Sequence, residues 1–285
     1  MSDRLLTVHG GVPDGVTNVR DFGADGYDTQ DDSAAIQAAL DSLVKPVNQY
    51  GWSWSGGIVY FPPGRYRVTE TLDIRAPNVT IQGSGGPSKF GRSCWIEFRG
   101  KGPLFRFPDD TKQQQGFCCR DLLLVATNNQ TTGFEIWTGD TFRRDFLWDR
   151  VGMYYFGKAI HVQRKDGQTQ VGNMRIRNCR IQHNDQAIVF GPSTSCNHFI
   201  FRENDAGNNR VRPVFDLRVM NAAIVDNIVE GQPDTILIRE SEDARITGNF
   251  FEANKGPCIT IIDSRRIVAR PNRYVGDLAE VKETP

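Results

Sequence analysis

The sequence lacks the features that would assign it to a membrane, secreted or nucleic-acid-binding class. Its longest apolar run, Leu122 to Ala126, is far shorter than the roughly 20 residues of a membrane-spanning helix. Neither sign of charge is in excess, because 34 Lys and Arg residues balance 34 Asp and Glu residues. This balance argues against a nucleic-acid partner and against insertion into or attachment to a membrane. The N-terminus has no apolar stretch typical of a signal peptide, so we expect synthesis in the cytoplasm.

Cysteine and histidine are too few and too irregularly spaced to indicate a metal centre or a disulfide framework. The six cysteines form no Cys-x-x-Cys motif, and the four histidines include no pair at metal-ligand spacing. We therefore expect neither a metal nor another cofactor.

One segment has the periodicity of an amphipathic helix. Apolar residues recur at positions 36, 39, 40, 43 and 44, behind a cluster of Asp and Ser residues, and Pro46 follows. This pattern predicts a helix over about 31–44, with Asp31 and Asp32 capping its N-terminus.

Most of the remaining chain has the pattern of short strands separated by turns, and its second half repeats every 22 to 26 residues. Each repeat has a short strand, an asparagine, and a second strand about ten residues later. The repeated asparagines are Asn178, Asn204, Asn227, Asn249 and Asn272. A period of this length without helices predicts an all-β parallel β-helix of nine to ten coils, with inward asparagines stacked between coils.

Three N-terminal segments carry a family resemblance: residues 19–26 (VRDFGADG), 31–40 (DDSAAIQAAL) and 57–66 (GIVYFPPGRY). Together they resemble the opening of the pectate-lyase-like superfamily, which includes polysaccharide lyases, hydrolases, alginate epimerases and phage tailspikes. The resemblance implies a right-handed parallel β-helix capped by the N-terminal α-helix, and a polysaccharide ligand. We expect an N-terminal extension over 1–17, a single β-helix domain over 18–275 and a polar C-terminal tail over 276–285.

The resemblance does not assign a reaction to the chain. The Asn-Thr-Asp, Gly-His-Gly and Arg-Ile-Lys motifs of polygalacturonase-type hydrolases are absent, and so is the alginate epimerase signature. Candidate catalytic residues must therefore come from the repeat itself.

Glu230 and Glu252 form the first candidate pair, because each lies three residues after a repeated asparagine. Equivalent positions in adjacent coils are about 4.8 Å apart. Two carboxylates at this separation suit the acid and the nucleophile of a retaining glycoside hydrolase. The alternative is that both simply face solvent.

A second candidate set combines acid–base and cationic side chains from neighbouring coils. A lyase needs a base to remove the proton beside a uronate carboxylate and a cation to neutralise that carboxylate. The catalytic candidates are His183, Asp185, Asp205, Arg175 and Arg177, with Glu203 beside them and Arg202 as a substrate contact. The alternative is that these are solvated turn residues in local salt bridges.

Aromatic residues supply a possible sugar platform. Trp52 and Trp54 lie in a segment flanked by Gly and Ser, and Trp137 lies in a central aromatic stretch. Exposed rings can bind the apolar face of a sugar, and they can equally anchor contacts between protomers.

Three hypotheses about the function follow. The first hypothesis is a tailspike-like virion component that binds, and in active members depolymerises, a bacterial surface polysaccharide. Its polar C-terminal residues are too few to seal the last coil, which favours a homotrimer or virion partner chains. The alternative is a stand-alone polysaccharide lyase or glycoside hydrolase, secreted by a route not visible in the sequence. A structural tail protein without enzymatic activity is the second alternative.

Overall fold

The chain is a parallel β-solenoid in a computed structural model that describes residues 15–46, 55–86, 94–109, 115–138, 143–164, 169–276 and 281–284. Every strand pairing among the described residues is parallel, and the strands form one 17-stranded sheet and one 9-stranded sheet. Two long strands connect the two halves of the 17-stranded sheet, which we call sheet 1 and sheet 2; the 9-stranded sheet is sheet 3. The predicted all-β, right-handed parallel β-helix is therefore confirmed. The solenoid has about eight turns, and nine strands stack in the described part of the 9-stranded sheet.

The strands divide among the three sheets as follows. Sheet 1 contains β1 (Val16–Asn18), β2 (Gly57–Tyr60), β5 (Val79–Gln82), the first parts of β8 (Cys118–Ala126) and β10 (Arg143–Tyr154), β12 (Thr169–Arg177), β15 (Thr194–Arg202), β18 (Val219–Val225), β21 (Glu242–Thr247) and β24 (Arg265–Val268). Sheet 2 contains β3 (Gly64–Val68), β6 (Cys94–Phe98), the second parts of β8 and β10, β13 (Arg180–Gln182), β16 (Asp205–Gly207), β19 (Ile228–Glu230), β22 (Phe250–Glu252) and β25 (Arg273–Val275). Sheet 3 contains β4 (Leu72–Asp73), β7 (Gly102–Phe107), β9 (Thr131–Thr138), β11 (Lys158–Arg164), β14 (Gln186–Phe190), β17 (Phe215–Leu217), β20 (Ile236–Arg239), β23 (Ile259–Ile262) and β26 (Val281–Thr284).

The N-terminal cap consists of a short 3-10 helix (Val19–Phe22) and the α-helix α1 (Ser33–Asp41). Helix α1 is shorter than the predicted 31–44, and it buries Ile36 and Leu40 in the core. The prediction that Asp32 caps the helix with its side chain is wrong. Its fully buried carboxylate instead accepts hydrogen bonds from the backbone N–H groups of Asp25 (2.9 Å) and Arg67 (3.3 Å), which ties the cap to sheet 2.

No helix within the described ranges is long and apolar enough to cross a membrane.

The two ends of the domain differ from the sequence-based boundaries. Strand β1 starts at Val16, inside the predicted extension 1–17, and pairs with β2. Strand β26 lies inside the predicted tail 276–285 and pairs with β23. Both segments therefore contribute strands to the solenoid.

Buried asparagines bridge successive coils at the corner between sheets 1 and 2. The Oδ1 atom of Asn227 accepts the backbone N–H (2.9 Å) and the side-chain amide (3.1 Å) of Asn204. Its Nδ2 atom donates to the Phe201 carbonyl (3.0 Å) and to Asn249 Oδ1 (2.8 Å). The same pattern continues through Asn204, Asn227, Asn249 and Asn272. Each amide thus satisfies backbone groups that the bend leaves without a strand partner.

The assignment of Asn178 to this ladder is wrong by one residue. Buried Cys179 takes the ladder position, and its backbone N–H donates to Asn204 Oδ1 (2.9 Å). Asn178 is exposed, has a positive φ of 54°, and donates to Asp149 (3.2 Å). The repeat therefore changes residue type at this coil without changing its geometry.

A second amide ladder, which the sequence analysis missed, lies at the corner between sheets 2 and 3. The backbone N–H of Asn184 donates to Asn209 Oδ1 (3.0 Å), and that of Gln232 donates to Asn254 Oδ1 (2.9 Å). All four side chains are buried. Two of the three corners are therefore held by buried amides.

The first ladder predicts a position-dependent loss of stability. Replacing Asn227 by Ala leaves buried donors and acceptors unpaired on both neighbouring coils, so we expect the free energy of unfolding to fall by about 2–4 kcal/mol. Asn178→Gly is the matched control, because Gly accepts the positive φ and Asp149 keeps its ion pairs with Arg150 and Arg177; we expect a change below about 0.5 kcal/mol. Urea titration measures both. Equal losses in the two variants would contradict the ladder's role.

Candidate functional site

The outer face of sheet 3 carries a compact set of polar and aromatic side chains. Strand alternation sends Phe105, Phe134 and Ile136 into the core, so the residues beside them point outward. In register, Arg106 of β7 lies beside Glu135 of β9, and Glu135 lies beside His161 of β11. Trp137 and Gln163 are paired two residues further along their strands, and Lys158 begins β11. We call these six residues the sheet 3 site.

Glu135 is the fixed centre of the sheet 3 site. The Trp137 indole donates to Oε1 (2.7 Å), and the Gln163 amide donates to Oε2 (2.6 Å). The two bonds fix the carboxylate and also hold the Trp137 ring on the outer face. A rigid indole next to hydrogen-bonding groups is a suitable surface for a sugar ring.

Half-buried His161 and Lys158 supply acid–base groups. Burial lowers the pKa of His161 to about 4, and the positive charge of Lys158 acts in the same direction. Burial also lowers the pKa of Lys158, an effect that Glu135 opposes. His161 is therefore a neutral imidazole at pH 7, and the Lys158 ammonium is a better proton donor than an exposed lysine.

Arg106 adds a cation that stays charged. Its guanidinium donates twice to Asp73, from Nε (2.7 Å) and Nη2 (3.1 Å). These bonds raise the pKa of Arg106 despite its partial burial, and Glu135 adds to the effect. The sheet 3 site thus combines a fixed cation, a neutral base, a proton donor and a ring. Perturbed acid–base groups gathered on one face mark functional sites.

Sequence reasoning found only one member of this site. Trp137 was a predicted substrate contact, and it lies in the sheet 3 site; Trp52 and Trp54 lie outside the described residues. Lys158 and His161 were missed, because their pKa values depend on burial against neighbouring coils. Alternation along the strand around Ile160 was the available signal, since it places His161 outward.

Glu230 and Glu252 lie on sheet 2, where they are direct register partners. Their adjacency is the geometry predicted from the repeat spacing. Glu230 is exposed and Glu252 is half-buried, so both carboxylates face the outer side of the sheet.

The second candidate set is divided between two sheets. Arg175 and Arg177 lie on sheet 1, where Arg177 bridges to Asp149 (3.0 Å). Arg202 is the register partner of Arg177 and contacts Glu203 (2.8 Å). The three arginines of the set therefore all lie on sheet 1, where Arg177 and Arg202 are paired with carboxylates.

The remaining members lie beyond the first corner. His183 follows β13 and stacks on Tyr155, with ring centroids 5.5 Å apart. Asp185 lies farther along the same bend and pairs with Arg210 (2.9 Å). Asp205 is on sheet 2, and its carboxylate is 3.7 Å from Arg180.

Arg180 and Tyr154 form a further pair on sheet 2 that the sequence analysis did not single out. Burial raises the pKa of Tyr154, while the charge of Arg180 and a hydrogen bond to it oppose that shift. The phenol therefore stays protonated at neutral pH.

Among the described residues, no group of three or more His, Cys, Asp or Glu side chains could hold a metal ion.

Comparisons with protein families agree with this architecture. Residues 16–93 match the family described as rhamnogalacturonase A/epimerase, pectate lyase-like, and residues 160–277 match the right handed beta helix region. The resemblance to pectate-lyase-like proteins is thereby confirmed.

Three known proteins illustrate the range of relatives. Mannuronan C5-epimerase AlgE5 of Azotobacter vinelandii is 48% identical over 75 residues, which is 24% of this chain and 7% of the epimerase. The A-module of mannuronan C-5 epimerase AlgE6 from the same organism has a TM-score of 0.54 at 20% identity, covering 92% of this chain and 77% of the module. The pre-mature gene product 12 of bacteriophage phi29 has a TM-score of 0.56 at 13% identity, covering 88% and 34%. The structural likenesses establish the fold, and the chain matches less than a tenth of the curated epimerase.

Buried His161 predicts a specific loss of stability in acid. Its folded pKa of about 4 lies below its ordinary value of 6.5, so the unfolded chain binds the proton more tightly. The stabilisation that comes from keeping this imidazole neutral is fully present above about pH 6.5 and is lost as the pH falls through about 4. The resulting decrease in the free energy of unfolding is at most about 3 kcal/mol. We expect His161→Gln to remove this part of the pH dependence of the free energy of unfolding.

His198→Gln is the matched control, because His198 is exposed on sheet 1. Urea titrations from pH 8 to pH 4 compare the two variants with the wild type. A His161→Gln profile parallel to the wild-type profile would show that His161 is not buried as a neutral base.

Proposed function

We propose that the outer face of sheet 3 binds an acidic, uronate-containing polysaccharide and can cleave it by β-elimination. The observation that carries the proposal is the neutral, half-buried His161 in the same register row as Arg106 and Glu135, with Lys158 three residues before it on β11. The identity to alginate-modifying enzymes over about a quarter of the chain supports an acidic glycan.

Recognition of the sugar would rest on the aromatic ring and the cation. Trp137, fixed by its bond to Glu135, offers an apolar face to a sugar ring. Arg106 remains charged at any relevant pH and can pair with a uronate carboxylate. That pairing also lowers the energy of the negative charge that develops beside the carboxylate during proton removal.

Proton transfer would use the two half-buried groups. The neutral His161 imidazole takes the proton from the carbon next to the carboxylate. The electron pair of that C–H bond forms a C=C bond as the adjacent C–O glycosidic bond breaks. Lys158 gives a proton to the leaving oxygen, so the products are a new hydroxyl end and an unsaturated uronate. The chemistry needs no oxidant or reductant.

Lys158→Gln tests the assignment. We expect the rate of unsaturated-product formation from uronate-rich bacterial polysaccharides to fall about 10²- to 10⁴-fold, because both the proton donor and its charge are lost. Ultraviolet absorbance of the conjugated product and release of reducing ends are followed together. Lys255→Gln is the control, because it removes an exposed lysine from a bend outside sheet 3. Equal activity of Lys158→Gln and wild type would exclude this role.

Hydrolysis at Glu230 and Glu252 is the second candidate function, favoured by their register pairing. A retaining mechanism predicts reducing ends without ultraviolet absorbance and retention of the anomeric configuration. Glu230→Gln and Glu252→Gln should each then lower the rate at least about 100-fold, whereas exposed Glu70→Gln should leave it unchanged. Wild-type rates in both carboxamide variants would remove this candidate.

We further propose that the protein works as a tailspike-like virion component, as a homotrimer or with virion partner chains. The absence of polygalacturonase-type motifs and the fold shared with the phage gene product support this role. In such a particle the sheet 3 site would face a bacterial surface polysaccharide. The predicted catalytic residues His183, Asp185, Asp205, Arg175 and Arg177 and the predicted substrate contact Arg202 lie outside the sheet 3 site and have no part in this proposal.

A further inference from the structure

A continuous series of hydrogen bonds and charges connects the N-terminal cap to the sheet 3 site. It begins at Gln37 of α1, whose side-chain oxygen accepts the backbone N–H of Asp73 (2.8 Å) and whose amide donates to the Asp73 carbonyl (3.1 Å). The helix therefore fixes the backbone of β4 where that strand starts sheet 3.

The Asp73 carboxylate fixes Arg106 in the next coil. Both of its oxygens accept from the Arg106 guanidinium, and Oδ2 also accepts from Arg75 (2.8 Å); only 13% of the Asp73 side chain is exposed. Two parallel bonds of this kind define the orientation of a guanidinium as well as its position. The Arg106 side chain is therefore held toward Asp73, which lies in the preceding coil.

Arg106 would otherwise compete for Glu135. Glu135 is its register partner in the following coil, and the charge of Glu135 already acts on it. Both oxygens of Glu135 are occupied by the Trp137 indole and the Gln163 amide. An unrestrained guanidinium beside this carboxylate would pull it away from those two neutral donors, because charge-assisted bonds are the stronger ones.

We infer that Asp73 is a positioning residue: it holds Arg106 away from Glu135 and thereby keeps the Glu135–Trp137 bond and the orientation of the Trp137 ring. Its importance for glycan recognition rests on the proposed function. The inference also gives the cap helix a role beyond covering the first coil, because Gln37 sets the backbone that carries Asp73.

Asp73→Asn tests the inference, because it keeps the size of the side chain and its backbone bonds to Gln37 while removing the charge. The first measurement is the NMR resonance of the Trp137 indole N–H, assigned with Trp137→Phe. The second is the affinity for an alginate hexasaccharide by calorimetry. Asp41→Asn is the matched control, since Asp41 is the exposed partner of Gln37 on α1 (2.9 Å) and lies outside the series.

We expect Asp73→Asn to shift the Trp137 indole resonance and to weaken hexasaccharide binding roughly three- to tenfold, and Asp41→Asn to do neither. The resonance of Trp148, which is fully buried in the core, should stay unchanged and show that the fold is intact. A Trp137 resonance that is the same in Asp73→Asn and wild type would overturn the inference, whatever the affinity. A shifted resonance in a protein that binds no acidic glycan would support the role of Asp73 and count against the proposed function.

Discussion

The buried amide ladders are the constraint on which the rest of the structure depends. Every coil of a solenoid must bend, and each bend turns backbone N–H and C=O groups inward, away from water and from strand partners. Asn204, Asn227 and Asn249 satisfy these groups and bond to one another across coils. A coil displaced by one residue would leave them unpaired in the core, at the full cost of desolvation. The ladders therefore favour one register between the successive coils from Phe156 to Asn272, whereas backbone strand pairing sets the register of β7, β9 and β11.

Fixed register is also what creates the sheet 3 site. Arg106, Glu135 and His161 are 26 to 29 residues apart in sequence, and they meet because β7, β9 and β11 pair without slippage. A shift by one residue would exchange the outer face with the core, placing Phe134 outside and Glu135 inside. The same stacking half-buries His161 and Lys158 and so lowers their pKa values. Structural stability and the geometry of the proposed site thus depend on the same strand pairing.

Much of the fold was predictable from the sequence, and less of the site. The apolar repeat and the N-terminal segments give the β-helix and its capping helix, and the repeat spacing gives the adjacency of Glu230 and Glu252. The second ladder escaped detection because Gln232 interrupts its asparagines, and Asn178 was misplaced because Cys179 occupies its ladder position. Lys158 and His161 carry no motif, since their chemistry arises from burial between coils. Sequence spacing predicts which residues are neighbours, whereas three-dimensional packing determines their proton affinities.

We propose that sheet 3, rather than sheet 1 or sheet 2, binds the glycan. The decisive measurement is a crystal structure of the protein with a bound uronate hexasaccharide. We expect a sugar ring against Trp137 with its carboxylate beside Arg106, and the chain of sugars running along the solenoid axis across β7, β9 and β11. An oligosaccharide bound on the outer face of sheet 2 beside Glu230 and Glu252, with sheet 3 free of sugar, would refute this assignment.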